Sequence, residues 1–282
     1  MAVILDGAKV AGEIKQEIRK KVDMLLEADY ARRPHLSVIL VGENPASQVY
    51  VRGKERDCQE CGFSQETIRL PADTGRGTLL DTINRLNDNP GVDGILVQLP
   101  LPKGLDEWAM LEEILPTKDV DCFHPLNVGK VAIGTPEFVP CTPKGVMRLL
   151  LEYGIPVAGK NCVVLGRSNI VGKPMAQLLT AADGTVSLCH SKTENLEAFT
   201  RNADILVSAV GKAGLITADM VKESAVVVDV AMNRGADGKL CGDVDFKSVE
   251  PKASYITPVP GGIGPMTRAM LMENVLRAWE AF

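Results

Sequence analysis

Histidine is scarce in this chain: His35, His124 and His190 are its only three, too dispersed in sequence for a metal cluster. No apolar run reaches the ~20 residues that a membrane helix needs. The opening Met-Ala-Val-Ile-Leu-Asp6 lacks the basic flank and long apolar core of a signal peptide. Blocks of like charge that would suggest a nucleic-acid tail are missing, and a net charge of -5 argues against such a partner too. The seven cysteines are odd in number and scattered, which suits reduced thiols better than a disulfide framework. Cys58-Gln-Glu-Cys61 is a C-x-x-C, but no second pair or nearby histidine completes a metal site, and the segment reads as mid-helix. The expectation is no metal, no membrane, no nucleic acid, and the cytoplasm as the default compartment.

What is present is an alternation of elements. Val10, Ile14, Ile18, Val22, Leu25 and Leu26 recur at helical spacing, which predicts an amphipathic helix over 7–29. Short apolar runs at 35–41, 65–70 and 92–98 predict strands, separated by helices at 45–61 and 78–86. A helix at 107–115 leads to a long loop, 116–143, that carries Lys118-Asp-Val-Asp121. After a helix at 143–153, strands are expected at 162–165, 185–190, 203–210 and 225–230, with helices between them, one from Glu194 and a short one near Asp219. Tyr255-Ile-Thr-Pro-Val-Pro260 reads as extended, and Gly261-Gly-Ile-Gly-Pro265 opens a last helix, 266–279. Apolar strands alternating with helices point to parallel sheets covered on both faces. The 282 residues therefore divide into two α/β domains flanking a cleft, 1–140 and 141–264, with helix 265–282 returning to the first.

The second domain holds the strongest motif, Gly166-Arg-Ser-Asn-Ile-Val-Gly172-Lys-Pro174, between the run Cys162–Leu165 and Met175-Ala-Gln-Leu-Leu179. Strand, glycine turn and helix in that order make a Rossmann-type unit, in which backbone N–H groups at the helix start suit a phosphate. Against the G-x-G-x-x-G fingerprint, Ser168 replaces the second glycine and the last falls one residue late, so a plain tight turn also accounts for it. Pro174 fits the first turn of a helix. At the end of the next strand, Leu188-Cys-His-Ser-Lys-Thr193 has no acid for a ribose 2′-hydroxyl. Ser191 and Lys192 there, with Arg167 in the glycine turn, favour the phosphate of NADP over NAD, unless Ser191 and Lys192 only start the following helix. Gly211, ending the third strand, would stand where bulk blocks a cofactor, or would simply close a turn.

In the first domain the polar groups gather beyond the strand ends, where ligands bind in such sheets. Tyr50 and Lys54 are four apart on one helix face after the first strand. Gln98 closes the third strand, and Asp121 lies in the long loop. Each has a bland explanation alone: a solvated face, a strand end, a turn.

Six stretches then occur in order: Val41-Gly-Glu-Asn-Pro-Ala-Ser47, Tyr50-Val-Arg-Gly-Lys54, Asp93-Gly-Ile-Leu-Val-Gln-Leu-Pro-Leu-Pro102, Lys118-Asp-Val-Asp121, Gly166–Pro174 and Pro258-Val-Pro-Gly-Gly-Ile-Gly-Pro-Met-Thr267. With Leu5-Asp-Gly7 they span the chain, which resembles the bifunctional methylenetetrahydrofolate dehydrogenase/methenyltetrahydrofolate cyclohydrolase family. The resemblance implies oxidation of 5,10-methylenetetrahydrofolate with NADP, then hydrolysis of the methenyl product to 10-formyltetrahydrofolate, in a homodimer. It implies acid/base work for Lys54 and a hydrogen bond to it from Gln98. It also implies folate stacking by Tyr50 and a hold on the amino-pyrimidine edge by Asp121. Leu99, Pro100, Leu101, Pro102, Gly261, Gly262 and Pro265 fall among the family's substrate positions. Gly166, Arg167, Ser168, Ile170, Gly172, Ser191 and Gly211 fall among its cofactor positions.

These residue types suit the chemistry. Hydride loss leaves a cation stabilised by the folate nitrogens, so positioning carries most of that step. Hydrolysis needs a proton acceptor near the attacking water, and a lysine serves if burial lowers its pKa. A carboxylate matches the paired N–H donors of a pterin edge. Two positions depart from the family pattern: Cys122 replaces the usual glycine after Asp121, and Asp229-Val-Ala-Met-Asn233 replaces D-V-G-I-N.

Overall fold

A computed structural model describes residues 1–28, 32–235 and 238–281. In chain order the elements of the first half are β1 (Val3–Ile4), α1 (Gly7–Glu27), β2 (His35–Val41), α2 (Pro45–Cys61), β3 (Ser64–Leu70), α3 (Arg76–Asn87), β4 (Gly94–Val97), α4 (Glu107–Leu111) and α5 (Pro125–Ala132). There follow α6 (Cys141–Glu152), β5 (Asn161–Leu165), α7 (Gly172–Ala181), β6 (Thr185–Cys189), α8 (Leu196–Thr200), β7 (Ile205–Ser208) and a single 3-10 turn at Ala218–Met220. The last elements are β8 (Val226–Asp229), β9 (Asn233–Arg234), β10 (Leu240–Cys241), α9 (Phe246–Val249), β11 (Tyr255–Ile256) and α10 (Ile263–Glu280). Among the described residues no helix is long and apolar enough to cross a membrane.

The chain forms two compact units, Met1–Ala11 with Pro140–Thr267, and Gly12–Val139 with the chain from Arg268 on. The unit 12–139 is built on a three-stranded parallel sheet in the order β3-β2-β4. Ile39, Val41, Ile95 and Val97 bury one face of it against Leu79, Ile83 and Leu86 of α3 and Met110 and Leu111 of α4. The unit 140–267 is built on a six-stranded parallel sheet in the order β1-β11-β8-β7-β5-β6. Its core joins Val163, Leu165, Leu206, Val227 and Ile256 of four strands to Ile216, Val221 and Val249. β9 and β10 make a separate antiparallel pair.

Four differences from the sequence expectation have local causes. Residues 1–11 group with 140–267, not with the stretch up to 140, because Val3 and Ile4 pair in parallel with Tyr255 and Ile256. The expected 116–143 loop contains α5, whose start is marked by Pro125 at its first turn and by His124, whose Nδ1 accepts the Leu126 N–H. Gly129 within α5 and only two buried side chains hid it from a periodicity argument. The helix expected from Glu194 starts at Leu196, since Asn195 takes a left-handed φ of 50°. The last helix starts earlier than expected, at Ile263, with Pro265 in its first turn. Asp29 and Phe282, the expected ends of two helices, lie outside the described residues.

The long loop is fastened by its own charged residues. Lys118 is buried and its Nζ donates to the carbonyls of Leu86, Asn87 and Asn89 at 2.9, 2.7 and 2.7 Å, capping the C-terminus of α3. Burial pulls this ammonium's pKa down. Lys118→Met should therefore cost about 2–4 kcal/mol by stranding three carbonyls. Urea unfolding measures it, and a loss under about 1 kcal/mol would mean that water can replace the cap.

Candidate functional site

In each unit the strand order reverses beside the first strand of its run. β2 has β3 on one side and β4 on the other, and β5 has β6 on one side and β7 on the other. Loops leaving the C-terminal ends of two such strands diverge and leave a crevice for ligands.

In the unit 12–139 the crevice belongs to β2 and β4. Gln98 follows β4, and its N–H bonds the Ile39 carbonyl at 2.9 Å, extending the ladder by one rung. The Gln98 side chain lies where α2 can reach it: Lys54 Nζ donates to Gln98 Oε1 at 2.9 Å. Gln98 Nε2 donates to the Leu99 carbonyl at 2.7 Å, which leaves the amide oxygen facing the lysine. Tyr50 sits one turn before Lys54 and stays 42% exposed, an aromatic face open to a ligand, while burial of its remainder pushes the phenol pKa up. The structure thus joins Lys54 to Gln98 and puts Tyr50 on the same helix face.

α2 is held in register by an ion cluster that the sequence did not suggest. Buried Asp57 takes Lys15 Nζ of α1 on Oδ1 at 2.8 Å and faces Arg268 Nε of α10 at 3.3 Å. Arg268 lies so close to Gly53 that a Cβ there would stand 2.5 Å from its Nη1. Cys58 and Cys61 are buried on α2 with thiols pushed up by burial, Cys61 to about 12, so neither offers a thiolate.

The two aspartates of the long loop separate in role. Asp119 is buried and saturated: Oδ1 accepts the Phe123 N–H, and Oδ2 accepts the His124 N–H and Asn127 Nδ2. Burial pushes its carboxyl pKa up. Asp119 also bridges Ile95, so the segment runs parallel to β4 toward the end that carries Gln98, and half-exposed Asp121 lies two residues further along. Cys122 has φ 62°, the left-handed region that favours glycine, and its buried Sγ donates to the Phe138 carbonyl at 3.2 Å. Leu99 and Leu101 lean on the core, while Pro100 is exposed after a cis bond and Pro102 is half-exposed.

In the unit 140–267 the crevice belongs to β5 and β7. Gly166, at φ 105°, ends β5, and a Cβ on it would stand 2.3 Å from the Ala209 carbonyl oxygen in the loop after β7. A Cβ on Gly172 would stand 1.9 Å from the Gly166 oxygen. The expected open N–H groups of the helix start are not open. Ser168 Oγ accepts those of Val171 and Gly172 at 3.2 and 3.3 Å, and the Ser168 carbonyl accepts that of Lys173. The backbone N–H groups of Arg167 to Ile170 have no such partner among the described residues, so the turn itself, not the helix, presents the donors. A phosphate fits donors of this kind where backbone approaches closely.

Arg167 and Ser191 are exposed after the adjacent strands β5 and β6. Neither Ser191 nor Lys192 caps α8; they ride on a turn closed by His190 and Thr193. Gly211, at φ 79°, donates its N–H to Asp243. Asp229 ends β8 and is buried; its carboxyl accepts the Ala231 and Val244 N–H groups. Burial, with Asp243 nearby adding to it, pushes the Asp229 pKa up to about 6. The Ala231 methyl is buried, so it does not project into open space at the strand end. Gly261, at φ 108°, accepts the Ala8 N–H, and a Cβ on Gly7 would stand 2.0 Å from the Gly262 oxygen. This packs the Leu5-Asp-Gly7 motif against the loop that opens α10. Asp57, Arg268 and Asp243 escaped sequence reading, and Asp229 entered it only as the first residue of Asp229-Val-Ala-Met-Asn233, without a role.

Two reversal-point crevices, one with a lysine–amide pair and one with a glycine turn of free N–H groups, define a two-unit α/β enzyme class that handles a dinucleotide. Comparison with known proteins makes it specific. The model of the tetrahydrofolate dehydrogenase/cyclohydrolase catalytic domain matches residues 5–121, and that of its NAD(P)-binding domain matches 140–282. A bifunctional protein FolD of Desulfovibrio desulfuricans is 55% identical, covering 99% of this chain and 98% of its own. The same-named protein of Streptococcus pneumoniae serotype 4 is 55% identical over 99% and 97%. The crystal structure of the bifunctional enzyme FolD from Campylobacter jejuni superposes with a TM-score of 0.97 at 48% identity, covering 100% of this chain and 99% of that one. A Trypanosoma brucei FolD complexed with NADP and inhibitor gives 0.95 at 41% identity, covering 99% and 98%. The chain belongs to the tetrahydrofolate dehydrogenase/cyclohydrolase family.

The glycines offer a direct contrast. Gly172→Ala should cost about 3 kcal/mol or more, or prevent folding, because backbone blocks the methyl. Gly211→Ala has open space, with Asn233 Oδ1 4.0 Å from the new methyl, and should cost only the left-handed backbone, about 1–2 kcal/mol. Equal costs in denaturant titration would contradict the close approach at Gly172.

Proposed function

We propose that this chain oxidises 5,10-methylenetetrahydrofolate with NADP and hydrolyses the resulting 5,10-methenyltetrahydrofolate to 10-formyltetrahydrofolate. The observation that carries the residue assignment is the 2.9 Å bond from Lys54 Nζ to Gln98 Oε1 at the reversal point of the first sheet. Lys54, as a neutral amine, takes the proton from the water that attacks the methenyl carbon, and returns it as the ring carbon–nitrogen bond opens. Gln98 fixes the direction of that amine through its oxygen. Tyr50 stacks on the folate, Asp121 pairs with the amino-pyrimidine edge, and Leu99 to Pro102 wall the subsite. Gly261, Gly262 and Pro265 contribute the loop at the start of α10.

NADP, when bound, supplies the hydride acceptor. The cradle fits such a group, since a Cβ at Gly166 or Gly172 would fill backbone space and the N–H groups of 167–170 are left to a phosphate. Arg167 and Ser191 take the 2′-phosphate, with Ile170 and Gly211 lining the same turn and loop. Asp or Glu, which would favour NAD, does not occur after β6 before Glu194. On family grounds we also propose a cytoplasmic homodimer.

Lys54→Met should abolish hydrolysis of methenyltetrahydrofolate, followed by its absorbance, with the variant still binding NADP. Full cyclohydrolase activity in that variant would remove Lys54 from the mechanism. Arg167→Ala should raise the KM for NADP about tenfold more than that for NAD, the equivalent of one charge-assisted hydrogen bond. Equal increases for the two cofactors would refute the 2′-phosphate assignment.

A further inference from the structure

We propose that Asp243 is a positioning residue for the dehydrogenase reaction: from beneath, it holds the loop after β7 that seats the glycine turn, and so sets the affinity for NADP. The proposal rests on the reading of the Gly166 turn as the NADP site.

Asp243 is fully buried, and five donors converge on it. Oδ2 accepts Ser208 Oγ at 2.8 Å, the Val210 N–H at 2.8 Å and the Gly211 N–H at 3.3 Å. Oδ1 accepts the Lys212 N–H at 2.7 Å and Asn233 Nδ2 at 3.0 Å. Three successive backbone N–H groups closing on one anion form a nest, which glycine at φ 79° permits. The loop above it, from Val210 to Gly214, is exposed. Its grip on the rest of the unit is therefore this carboxylate.

The position of Asp243 is itself fixed. A Cβ on Gly242 would stand 1.9 Å from Asp229 Oδ2, so the Asp229 side chain fills the room that any other residue at 242 would need. The same Asp229 oxygen accepts the Val244 N–H at 2.7 Å. The end of β8 thus pins 242–244, Asp243 pins 208–212, and the Ala209 carbonyl approaches Gly166 too closely for any Cβ there. Displacement of the loop passes directly to the turn whose N–H groups face the phosphate. An amide in place of the carboxylate offers one accepting oxygen and turns an NH2 group toward donors.

The experiment uses the two activities of the full-length enzyme against each other. Asp243→Asn should raise the KM and the directly titrated Kd for NADP about tenfold. Its methenyltetrahydrofolate hydrolysis, assayed without cofactor, should stay within about twofold of wild type. Unchanged NADP parameters overturn the proposal, and so does a parallel loss of both activities, which would mark a residue that only stabilises the fold. If Asp243→Asn does not fold, Asn233→Ala, which removes one of the five donors, decides: a rise of about threefold in the KM for NADP with hydrolysis unchanged supports the proposal. No rise in that variant overturns it. Wild-type enzyme inert toward both folates would sink the proposed function and this inference together, whereas an active wild type with an unaffected variant sinks the inference alone.

Discussion

Backbone meets backbone without room for a methyl group at several glycines of the unit formed by 1–11 and 140–267, and the cofactor side of that unit depends on three of them. Gly172 closes on the Gly166 oxygen, Gly166 on the Ala209 oxygen, and Gly7 on the Gly262 oxygen. The first contact folds the turn so tightly that Ser168 can satisfy the opening N–H groups of α7 through its own hydroxyl. The second ties the turn after β5 to the loop after β7, the two strands between which the sheet order reverses. The third brings the N-terminal strand and the Gly261-Gly262 loop together. A serine in the middle of the fingerprint is then no defect. It moves the available donors from the helix to residues 167–170.

The unit 12–139 solves a different problem, holding an amine and an amide at one spacing. Its means are charged residues engaged with the chain itself. Asp57 clamps α2 between Lys15 and Arg268, Lys118 caps α3, and Asp119 gathers Phe123, His124 and Asn127. Of the four residues Lys118-Asp-Val-Asp121, the first two are spent on the loop's own geometry, and Val120 fills the space that Gly94 leaves beside β4. The fourth, half-exposed Asp121, is the one proposed for the substrate edge. The Cys122 backbone, at φ 62°, shows why a glycine suits the next position: the turn demands a left-handed residue whatever the side chain.

Legibility followed periodicity and length. β2, α2 and the 3-10 turn near Asp219 stood out because their apolar spacing or bounding residues were strong. Lys54, Gln98 and Tyr50 were visible because polar groups at strand ends contrast with apolar runs. α5 was not, since it buries only Asn127 and Val131 and carries an internal glycine. β1, β9 and β10 are two residues long and exist through pairing with distant partners, which no local window contains. Asp243 was hidden for a related reason. Its five partners come from two segments at least ten residues away, so nothing near it in sequence announces the cluster.

The pair Asp229 and Asp243 shows how two buried acids can share one small volume. Asp243 meets five donors, whereas Asp229 meets only backbone N–H groups, those of Ala231, Asp243 and Val244, which do not offset its burial. The Asp229 pKa accordingly rises to about 6 from an ordinary 3.8, with Asp243 among the causes. A folded value above the unfolded one means that the native state binds the proton more tightly, so this group favours folding most below its unfolded pKa. That contribution is lost as pH rises through about 6, where the acid ionises in both states and its burial counts against the fold. The site therefore accepts a destabilising charge at neutral pH in return for a fixed Gly242-Asp243 segment. Such a cost is tolerable where the rest of the sheet is apolar and the geometry it secures lies at a strand-order reversal, a place where loop position controls what can bind.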